Sequence, residues 1–260
     1  MEAGGSLIRR LAFVAGWAVV GFVALIGIEF LLLGRREFLP SDPGYVVDSR
    51  VGPGGGAIGD PVRLAVLGDS TVAGVGSPTE AESLAVLIAE RVSEASGRAV
   101  QVTGFGVSGA RTGTLTVDQL PRVGSAFDAV VLVIGSNDAT HATPWWTLRS
   151  QTVEMLERAT ALGAPVVLAG TPRFSGTEII PEPLRTMVDR YSGVLRGEQR
   201  AAADAVPGVR FVDLAAEASP RFEGVPEATS SDGFHPSPIG YGFWADAIAP
   251  SVVEALADEG

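Results

Sequence analysis

The chain has 260 residues, a formal net charge of −11, 46% hydrophobic residues and no cysteine. The lack of cysteine excludes disulfides, zinc–thiolate sites and a cysteine nucleophile. All 19 basic residues are arginine, which also excludes the lysine of a Walker A loop, a Schiff base or a serine–lysine hydrolase. The acidic charge predicts that nucleic acid is not a partner.

The first predicted element is an apolar segment from Leu11 to Leu33, whose only charged residue is Glu29. At about 1.5 Å per residue, a helix of this length crosses a hydrocarbon core of roughly 30 Å. We therefore interpret residues 1–37 as a tail and an uncleaved, single-pass transmembrane signal anchor. A cleaved signal peptide with an unusually long core is the alternative.

The orientation of this anchor is weakly specified, because a pair of arginines flanks each end of the apolar segment. The positive-inside rule is therefore close to a tie. A short N-terminal tail normally stays in the cytoplasm, which favours an extracytoplasmic position for the rest of the chain.

Residues 38–62 contain four prolines and six glycines, a composition typical of a linker or a loosely packed strap. From residue 63 to residue 260 we predict a single domain. Its short apolar runs are typical of strands that are buried on both faces of a parallel sheet. The runs lie at 63–68, 99–104, 130–135, 166–170 and 209–214.

Amphipathic stretches alternate with these strands and predict helices. They lie at about 80–96, 112–121, 145–163 and 181–205, with a last helix at about 238–257. Strand–helix alternation of this kind predicts an α/β sandwich with about five parallel strands joined by right-handed crossovers.

Ligand sites in open α/β sheets lie beyond the carboxyl ends of the strands. The loops that follow the predicted strands, together with the segment before the last helix, are polar and rich in glycine. They comprise residues 68–71, 104–109, 135–138 and 232–236. We expect these four loops to converge on one edge of the sheet.

A catalytic serine needs a base to take its proton. Ser70 follows the first strand of the domain and is expected to open a helix. His235 lies three residues after Asp232, so the carboxylate is close enough in sequence to orient the imidazole, as the acid does in a serine triad. These three residues are therefore the candidate catalytic residues.

An acyl-transfer intermediate also needs hydrogen-bond donors for its oxyanion. The candidate donors are the backbone N–H groups of Ser70 and Gly109 and the side-chain amide of Asn137. Glycine at position 109 allows the main chain to approach a substrate without a Cβ in the way.

These loops resemble the four sequence blocks of the SGNH/GDSL hydrolase family, which is named after a serine, a glycine, an asparagine and a histidine. The blocks here are LAVLGDSTVAGVG (64–76), GFGVSGART (104–112), LVIGSNDAT (132–140) and SDGFHPSPIGY (231–241). The matching residues are Ser70, Gly109, Asn137 and His235, with Asp232 in the Asp-x-x-His spacing. The first block reads GDST rather than GDSL, and Gly104 stands where the family often has asparagine; neither departure concerns a catalytic position.

The resemblance implies a flavodoxin-like three-layer α/β/α sandwich and a serine esterase that needs no cofactor. The family acts on lipids, thioesters and acetylated carbohydrates, and the predicted anchor favours a lipid ester or an O-acetylated glycan as substrate. The same residues would serve an acyltransferase, and the same fold could carry a non-catalytic ligand-binding module.

Other polar or aromatic residues near these loops have simpler interpretations. Asp69 and Asp138 are expected to hydrogen-bond the loop backbone, and His141 to be a loop histidine near the site. Trp145 and Trp146 are expected to pack at a helix start, with stacking on a sugar or an acyl group as the alternative. Two histidines and no cysteine give little basis for a metal site.

Overall fold

A computed structural model describes residues 2–52 and 60–258, with side chains from residue 11 onward. Its centre is a six-stranded sheet. The strands are β1 (Asp48–Val51), β2 (Val62–Gly68), β3 (Val100–Gly104), β4 (Ala129–Val133), β5 (Val166–Ala169) and β6 (Val209–Val212). Their spatial order is β1-β3-β2-β4-β5-β6.

Five of the strands, β2 to β6, are parallel, and β1 runs antiparallel to β3 at the edge. The parallel strands have the order of the flavodoxin-like doubly wound sheet, in which ligands bind where the strand order reverses. The predicted α/β/α sandwich with five parallel strands is therefore confirmed.

The described helices follow in chain order. They are α1 (Glu2–Leu33), α2 (Ser70–Ala73), α3 (Leu84–Ser96), α4 (Thr112–Thr114), α5 (Ser136–Thr140), α6 (Trp145–Thr160), α7 (Leu184–Ala205), α8 (Leu214–Glu217) and α9 (Pro238–Asp258). Helices α3 and α9 cover one face of the sheet, whereas α6 and α7 cover the other.

Strand β2 shows why the central strands read as continuous apolar runs. Leu64 and Val66 belong to the core cluster under α3 and α9, whereas Ala65 and Leu67 belong to the cluster under α6 and α7. Successive side chains of a strand point to opposite faces, so a strand that is covered on both sides needs apolar residues at every position.

The stretch at 112–121, predicted as one helix, is divided into shorter turns. Helix α4 passes into a π-helical turn at Leu115–Gln119 and then into a 3₁₀ turn at Leu120–Arg122. Pro121 explains the change, because proline has no N–H for an α-helical hydrogen bond.

Helix α1 contains the apolar segment. Leu11–Leu33 has a mean hydropathy of 2.5 and is long and apolar enough to cross a membrane, a property that signal sequences share. Near its end, Ile26 and Leu33 pack against the core cluster that includes Leu184. Glu29 is buried and accepts a hydrogen bond from the Leu184 backbone N–H at 3.0 Å.

Part of the predicted linker 38–62 belongs to the folded domain. Strand β1 pairs with β3 through residues 48–51, and Val47 is buried in the core beside the partly buried Tyr45. A proline- and glycine-rich composition did not reveal this short edge strand. The glycine run of the linker, residues 54–56, falls within 53–59, outside the described residues, and the division into anchor, linker and domain otherwise stays a prediction.

Candidate active site

The end of β2 places Ser70 at the edge of the sheet. Asp69 caps α2: its Oδ1 accepts hydrogen bonds from the Thr71 N–H at 3.0 Å and the Thr71 hydroxyl at 2.8 Å. Burial raises the pKa of the Asp69 carboxyl, although these hydrogen bonds lower it. Ser70 is the first residue of α2, so its N–H has no partner within the helix. The prediction that Ser70 opens a helix is confirmed.

A buried glutamine that the sequence analysis missed holds the strand end in place. The Gln119 side chain accepts from the Gly68 N–H at 3.0 Å and donates to the Gly68 carbonyl at 2.8 Å. Two complementary hydrogen bonds fix the peptide groups that lead into Ser70. The sequence offered no signal for this contact, because Gln119 lies 51 residues from its partner.

Ser70, His235 and Asp232 form one chain of hydrogen bonds. The Ser70 Oγ lies 3.0 Å from His235 Nε2, and His235 Nδ1 lies 2.6 Å from Asp232 Oδ2. The structure therefore brings together the three residues that were predicted from Asp-x-x-His spacing and the strand-end serine. Both His235 and Asp232 are buried, at 8% and 7% exposure, which limits competition from water for these contacts.

The Asp232 carboxylate is ionised in this arrangement. Burial raises its pKa, but hydrogen bonds from the His235 side chain, the His235 N–H and the Phe234 N–H outweigh burial and lower the pKa to about 2. The backbone bonds, 2.9 and 3.0 Å long, both go to Oδ1. Oδ2 is thereby directed at the imidazole as a fixed negative charge.

The loop after β4 positions Asn137 on the first turn of α5. Its Nδ2 donates to the Ala110 carbonyl at 3.0 Å and lies 3.5 Å from Asp69 Oδ2. The second contact is at the outer limit of a hydrogen bond, so one amide N–H is held by Ala110 and the other is only weakly engaged. The asparagine links its own loop to the loop that carries Gly109.

The neighbouring Asp138 ties the same two loops together. It is fully buried, and its Oδ2 accepts from the Thr112 N–H at 3.0 Å and the Thr112 hydroxyl at 2.9 Å. The expectation that Asp69 and Asp138 hydrogen-bond the backbone is confirmed.

Gly109 lies in a tight turn closed by a hydrogen bond from the Ala110 N–H to the Val107 carbonyl. Its φ is +80°, and no described atom lies within 4 Å of the position that a Cβ would take. Glycine is therefore favoured here by the left-handed backbone conformation, a reason beyond the one suggested by the sequence.

A cavity of about 530 Å³ opens beside the serine. Five residues were predicted to act in catalysis or in the oxyanion site. Ser70, Asn137 and His235 line the cavity, whereas Asp232 and Gly109 do not. The remaining lining mixes hydroxyl, charged and aromatic side chains from the loop after β5 and the segment before α9. A serine hydroxyl, an imidazole and a side-chain amide thus face one space of ligand size.

The arrangement of these loops agrees with the comparison to known families. The model of the GDSL-like lipase/acylhydrolase family matches residues 66–243. The chain belongs to this family.

The chain is similar in sequence to the GDSL-like esterase Rv1075c of Mycobacterium tuberculosis. It is 31% identical over 201 residues, which cover 76% of this chain and 64% of that protein. This chain therefore spans less than two thirds of the relative's length.

Solved structures share the fold at lower identity. TesA matches with a TM-score of 0.60 and 22% identity, covering 74% of this chain and 99% of TesA. The acetylxylan esterase Axe2 of Geobacillus stearothermophilus matches with a TM-score of 0.53 and 18% identity, covering 77% of this chain and 96% of Axe2. At these identities the likeness establishes the GDSL fold alone.

The remaining predicted residues do not line the cavity of the GDSL site. His141 ends α5 with its Nδ1 2.9 Å from the Asn137 carbonyl, and it is exposed. Trp145 and Trp146 open α6, contact each other edge to face and are exposed. Among the described residues, no cluster of three histidine, aspartate or glutamate side chains is placed to hold a metal ion.

Gly106 supplies a prediction about how tightly the GDSL loops pack. A Cβ at this position would lie 2.1 Å from the Ala73 backbone nitrogen, inside the helix that carries Ser70. We expect Gly106→Ala to destabilise the fold by about 2 kcal/mol through overpacking and to lower the apparent Tm by about 4–8 °C. Thermal unfolding followed by circular dichroism measures the change.

Gly124→Ala is the matched control, because no described atom lies within 4 Å of its added Cβ. Its Tm is expected to stay within about 2 °C of wild type. Equal Tm values for the two variants would contradict the close packing of Gly106 against α2.

Proposed function

We propose that this protein is a serine esterase in which Ser70 is the nucleophile, His235 the general base and Asp232 the acid that orients the base. The observation that carries the proposal is the continuous hydrogen-bond chain from Ser70 Oγ through both ring nitrogens of His235 to Asp232 Oδ2. Membership of a family of ester hydrolases supports the same reaction class.

In the first half-reaction, the Ser70 Oγ attacks the ester carbonyl carbon while His235 Nε2 accepts its proton. The ionised Asp232 holds the Nδ1 proton and stabilises the imidazolium that forms. The tetrahedral intermediate then collapses, the bond to the alcohol breaks, and the imidazolium returns its proton to the leaving oxygen. The products of this step are the free alcohol and an acyl group on Ser70.

In the second half-reaction, His235 takes a proton from water, and the resulting nucleophile attacks the acyl carbon. Collapse of the second intermediate releases the carboxylic acid and returns the proton to Ser70. The two half-reactions together convert the ester and water into the alcohol and the carboxylic acid, so the mechanism needs no cofactor.

The negative charge on the carbonyl oxygen needs fixed donors in both steps. We assign this role to the backbone N–H groups of Ser70 and Gly109 and to the weakly engaged amide N–H of Asn137. The assignment is supported by the free first N–H of α2 and by the shared cavity wall of Ser70 and Asn137.

Asn137→Ala is expected to lower kcat by about 10²–10³-fold, the usual effect of losing an oxyanion donor. The donor acts on the charge of the intermediate, so KM should change by no more than about threefold. Steady-state hydrolysis of p-nitrophenyl butyrate measures both constants.

Ser136→Ala serves as the control, since Ser136 precedes Asn137 on α5 and also lines the cavity but has no role in the mechanism. Its kcat should stay within about threefold of wild type. An Asn137→Ala enzyme with undiminished kcat would remove the asparagine from the oxyanion site.

For the substrate we propose an ester presented at a membrane or cell envelope, either a lipid ester or an O-acetylated glycan. The support is the apolar helix α1, which we propose anchors the protein with its domain outside the cytoplasm. Leu39, which contacts Asp232, lies six positions after Leu33, the end of this helix. A chain of that length spans about 20 Å at most, so the site would lie close to the membrane.

Chain-length preference separates these two substrate classes. The full-length protein in detergent micelles would be assayed on p-nitrophenyl acetate, butyrate and octanoate, with Ser70→Ala as the blank. A preference for acetate supports deacetylation, whereas a preference for octanoate supports a lipid ester. Absence of Ser70-dependent hydrolysis on all three esters would contradict the esterase proposal.

A further inference from the structure

The segment from Phe38 to Val47, hereafter the strap, precedes strand β1 and touches two of the four site loops and the C-terminal end of α2. Each contact is a hydrogen bond to or from the strap. They are Leu39 N–H to Asp232 Oδ2 at 3.3 Å, Ser108 Oγ to the Ser41 carbonyl at 2.5 Å, and Tyr45 hydroxyl to the Gly74 carbonyl at 3.0 Å. A segment with the composition of a linker is therefore attached to the loops that carry the catalytic residues.

The first of these contacts reaches the catalytic acid itself. Leu39 donates to Oδ2, the same oxygen that lies 2.6 Å from His235 Nδ1. The two backbone N–H groups of the acid's own loop go to the other oxygen, Oδ1. The strap thus supplies a donor, 193 residues away in sequence, at the oxygen that faces the base.

An aromatic contact holds the strap at this position. The Phe38 ring meets the Phe234 ring edge to face at 5.6 Å, and Phe234 meets the His235 ring edge to face at 5.1 Å. Such aromatic pairs have a defined geometry. Phe38 therefore packs against Phe234, which directly precedes His235, and is itself followed directly by the Leu39 donor.

The other end of the connection is also attached to the domain. Glu29 of α1 accepts from the Leu184 N–H at 3.0 Å, and Leu33 packs against the cluster to which Leu184 belongs. The end of the apolar helix and the Leu39 contact are therefore both held on the same domain, a few residues apart.

We propose that the strap forms part of the active site. Leu39 is a positioning residue, whose backbone N–H adjusts the negative charge that Asp232 Oδ2 presents to His235. The proposal rests on the triad proposed above. It also implies that activity depends on the connection to the apolar helix, so that a protein shortened past Leu39 would have an altered site.

The physical consequence is a change in the charge that His235 meets. The Leu39 N–H partly offsets the negative charge on Oδ2. Without it, Oδ1 remains held by its two backbone donors, and more of the carboxylate charge acts on the imidazole. The imidazolium is then favoured over the neutral base, so we expect the acid side of the pH profile of kcat to move to higher pH.

Other charged or titratable groups face this pair and remain unchanged in the variants. They are Asp69 at the start of α2, Tyr241 on α9, and Arg173, Glu178 and Glu223 across the cavity. A difference between Leu39 variants on the acid side of the pH profile of kcat therefore comes from the Leu39 backbone N–H.

The test compares Leu39→Pro, which lacks the N–H, with Leu39→Ala, which keeps it, in the full-length protein. Leu39→Pro is expected to lower kcat about threefold or more at pH 6 and by less than about twofold at pH 8, with KM within about twofold of wild type. Leu39→Ala should keep the wild-type profile. A variant that only contained less folded protein would show the same fold-decrease in apparent kcat at every pH, so its pH profile would keep the wild-type shape.

Phe38→Ala is a second test variant. It keeps the Leu39 N–H but removes the ring that packs the strap against Phe234. We expect the acid limb to move in the same direction by a smaller amount. Acid limbs in Leu39→Pro and Phe38→Ala that superimpose on that of Leu39→Ala would overturn the proposal. Failure of the triad itself is recognised separately, because Ser70→Ala would then keep its activity whatever the strap variants do.

Discussion

Ser70→Ala is expected to lower kcat by about 10⁴-fold or more, because no acyl-enzyme can form without the hydroxyl. The Ser70 Oγ is the atom that lies 3.0 Å from the base, and the alanine variant keeps the backbone N–H that we assign to the oxyanion. The fold should be unaffected, because the capping hydrogen bonds of α2 come from Asp69 and not from Ser70. The initial rate of p-nitrophenyl butyrate hydrolysis, beside a circular dichroism spectrum, measures the effect.

A surface serine provides the matched control for this substitution. Ser150 is exposed on α6, where its hydroxyl donates only to the Thr147 carbonyl. Ser150→Ala should retain kcat within about twofold of wild type. A Ser70→Ala protein that is folded and as active as the Ser150 variant would exclude Ser70 as the nucleophile.

Asp232→Asn is expected to lower kcat by about 10³–10⁴-fold while the protein stays folded. The amide cannot stabilise the imidazolium, and its NH₂ group can turn toward Nδ1 and favour the wrong tautomer of His235. The effect depends on the charge that the short contact between Asp232 Oδ2 and His235 Nδ1 brings to the base. Single-turnover and steady-state hydrolysis rates at pH 8 measure it.

Asp246→Asn is the control, because Asp246 is also an aspartate with a lowered pKa. Burial raises the pKa of Asp246, but hydrogen bonds and ion pairs with Arg221 and Arg91 on the surface outweigh burial, so the net shift is downward. Exposed ion pairs contribute little, so kcat should stay within about twofold. A loss in Asp232→Asn no larger than in this control would remove Asp232 from the mechanism.

The pH dependence of the wild-type enzyme follows from the same pair. The pKa of Asp232 is lowered to about 2, so the carboxylate stays ionised as the pH falls to about 4. Loss of the Asp232 charge therefore does not limit activity in this range, and the acid side of the profile is expected to reflect the base role of His235, because a charged imidazole cannot accept the Ser70 proton. One ionising group should describe the acid limb of the kcat profile.

Much of the site could be predicted because its residues follow regular elements. Ser70 and Asn137 each lie in the short segment that follows a buried apolar strand, and parallel strands place their carboxyl ends along one edge. Asp232 and His235 are only three residues apart. Strand periodicity and local spacing were therefore sufficient to place these four residues near one another.

The parts that were missed depend on contacts between residues far apart in the chain. Gln119 holds Gly68 across 51 residues, and Leu39 reaches Asp232 across 193 residues. In each pairing one partner contributes only backbone groups, so neither pairing leaves a pattern of matched side chains. The edge strand β1 is four residues long, too short for its alternation to stand out from a glycine- and proline-rich segment.

Covalent labelling tests the central claim most directly. The full-length protein would be treated with a fluorophosphonate ester, which reacts with an activated serine, and the modified peptide would be identified by mass spectrometry. We predict one adduct per chain, located on Ser70, with loss of activity in proportion to labelling and no adduct in the Ser70→Ala or His235→Ala variants. Proportional inactivation with the adduct on any other residue would contradict the proposed nucleophile.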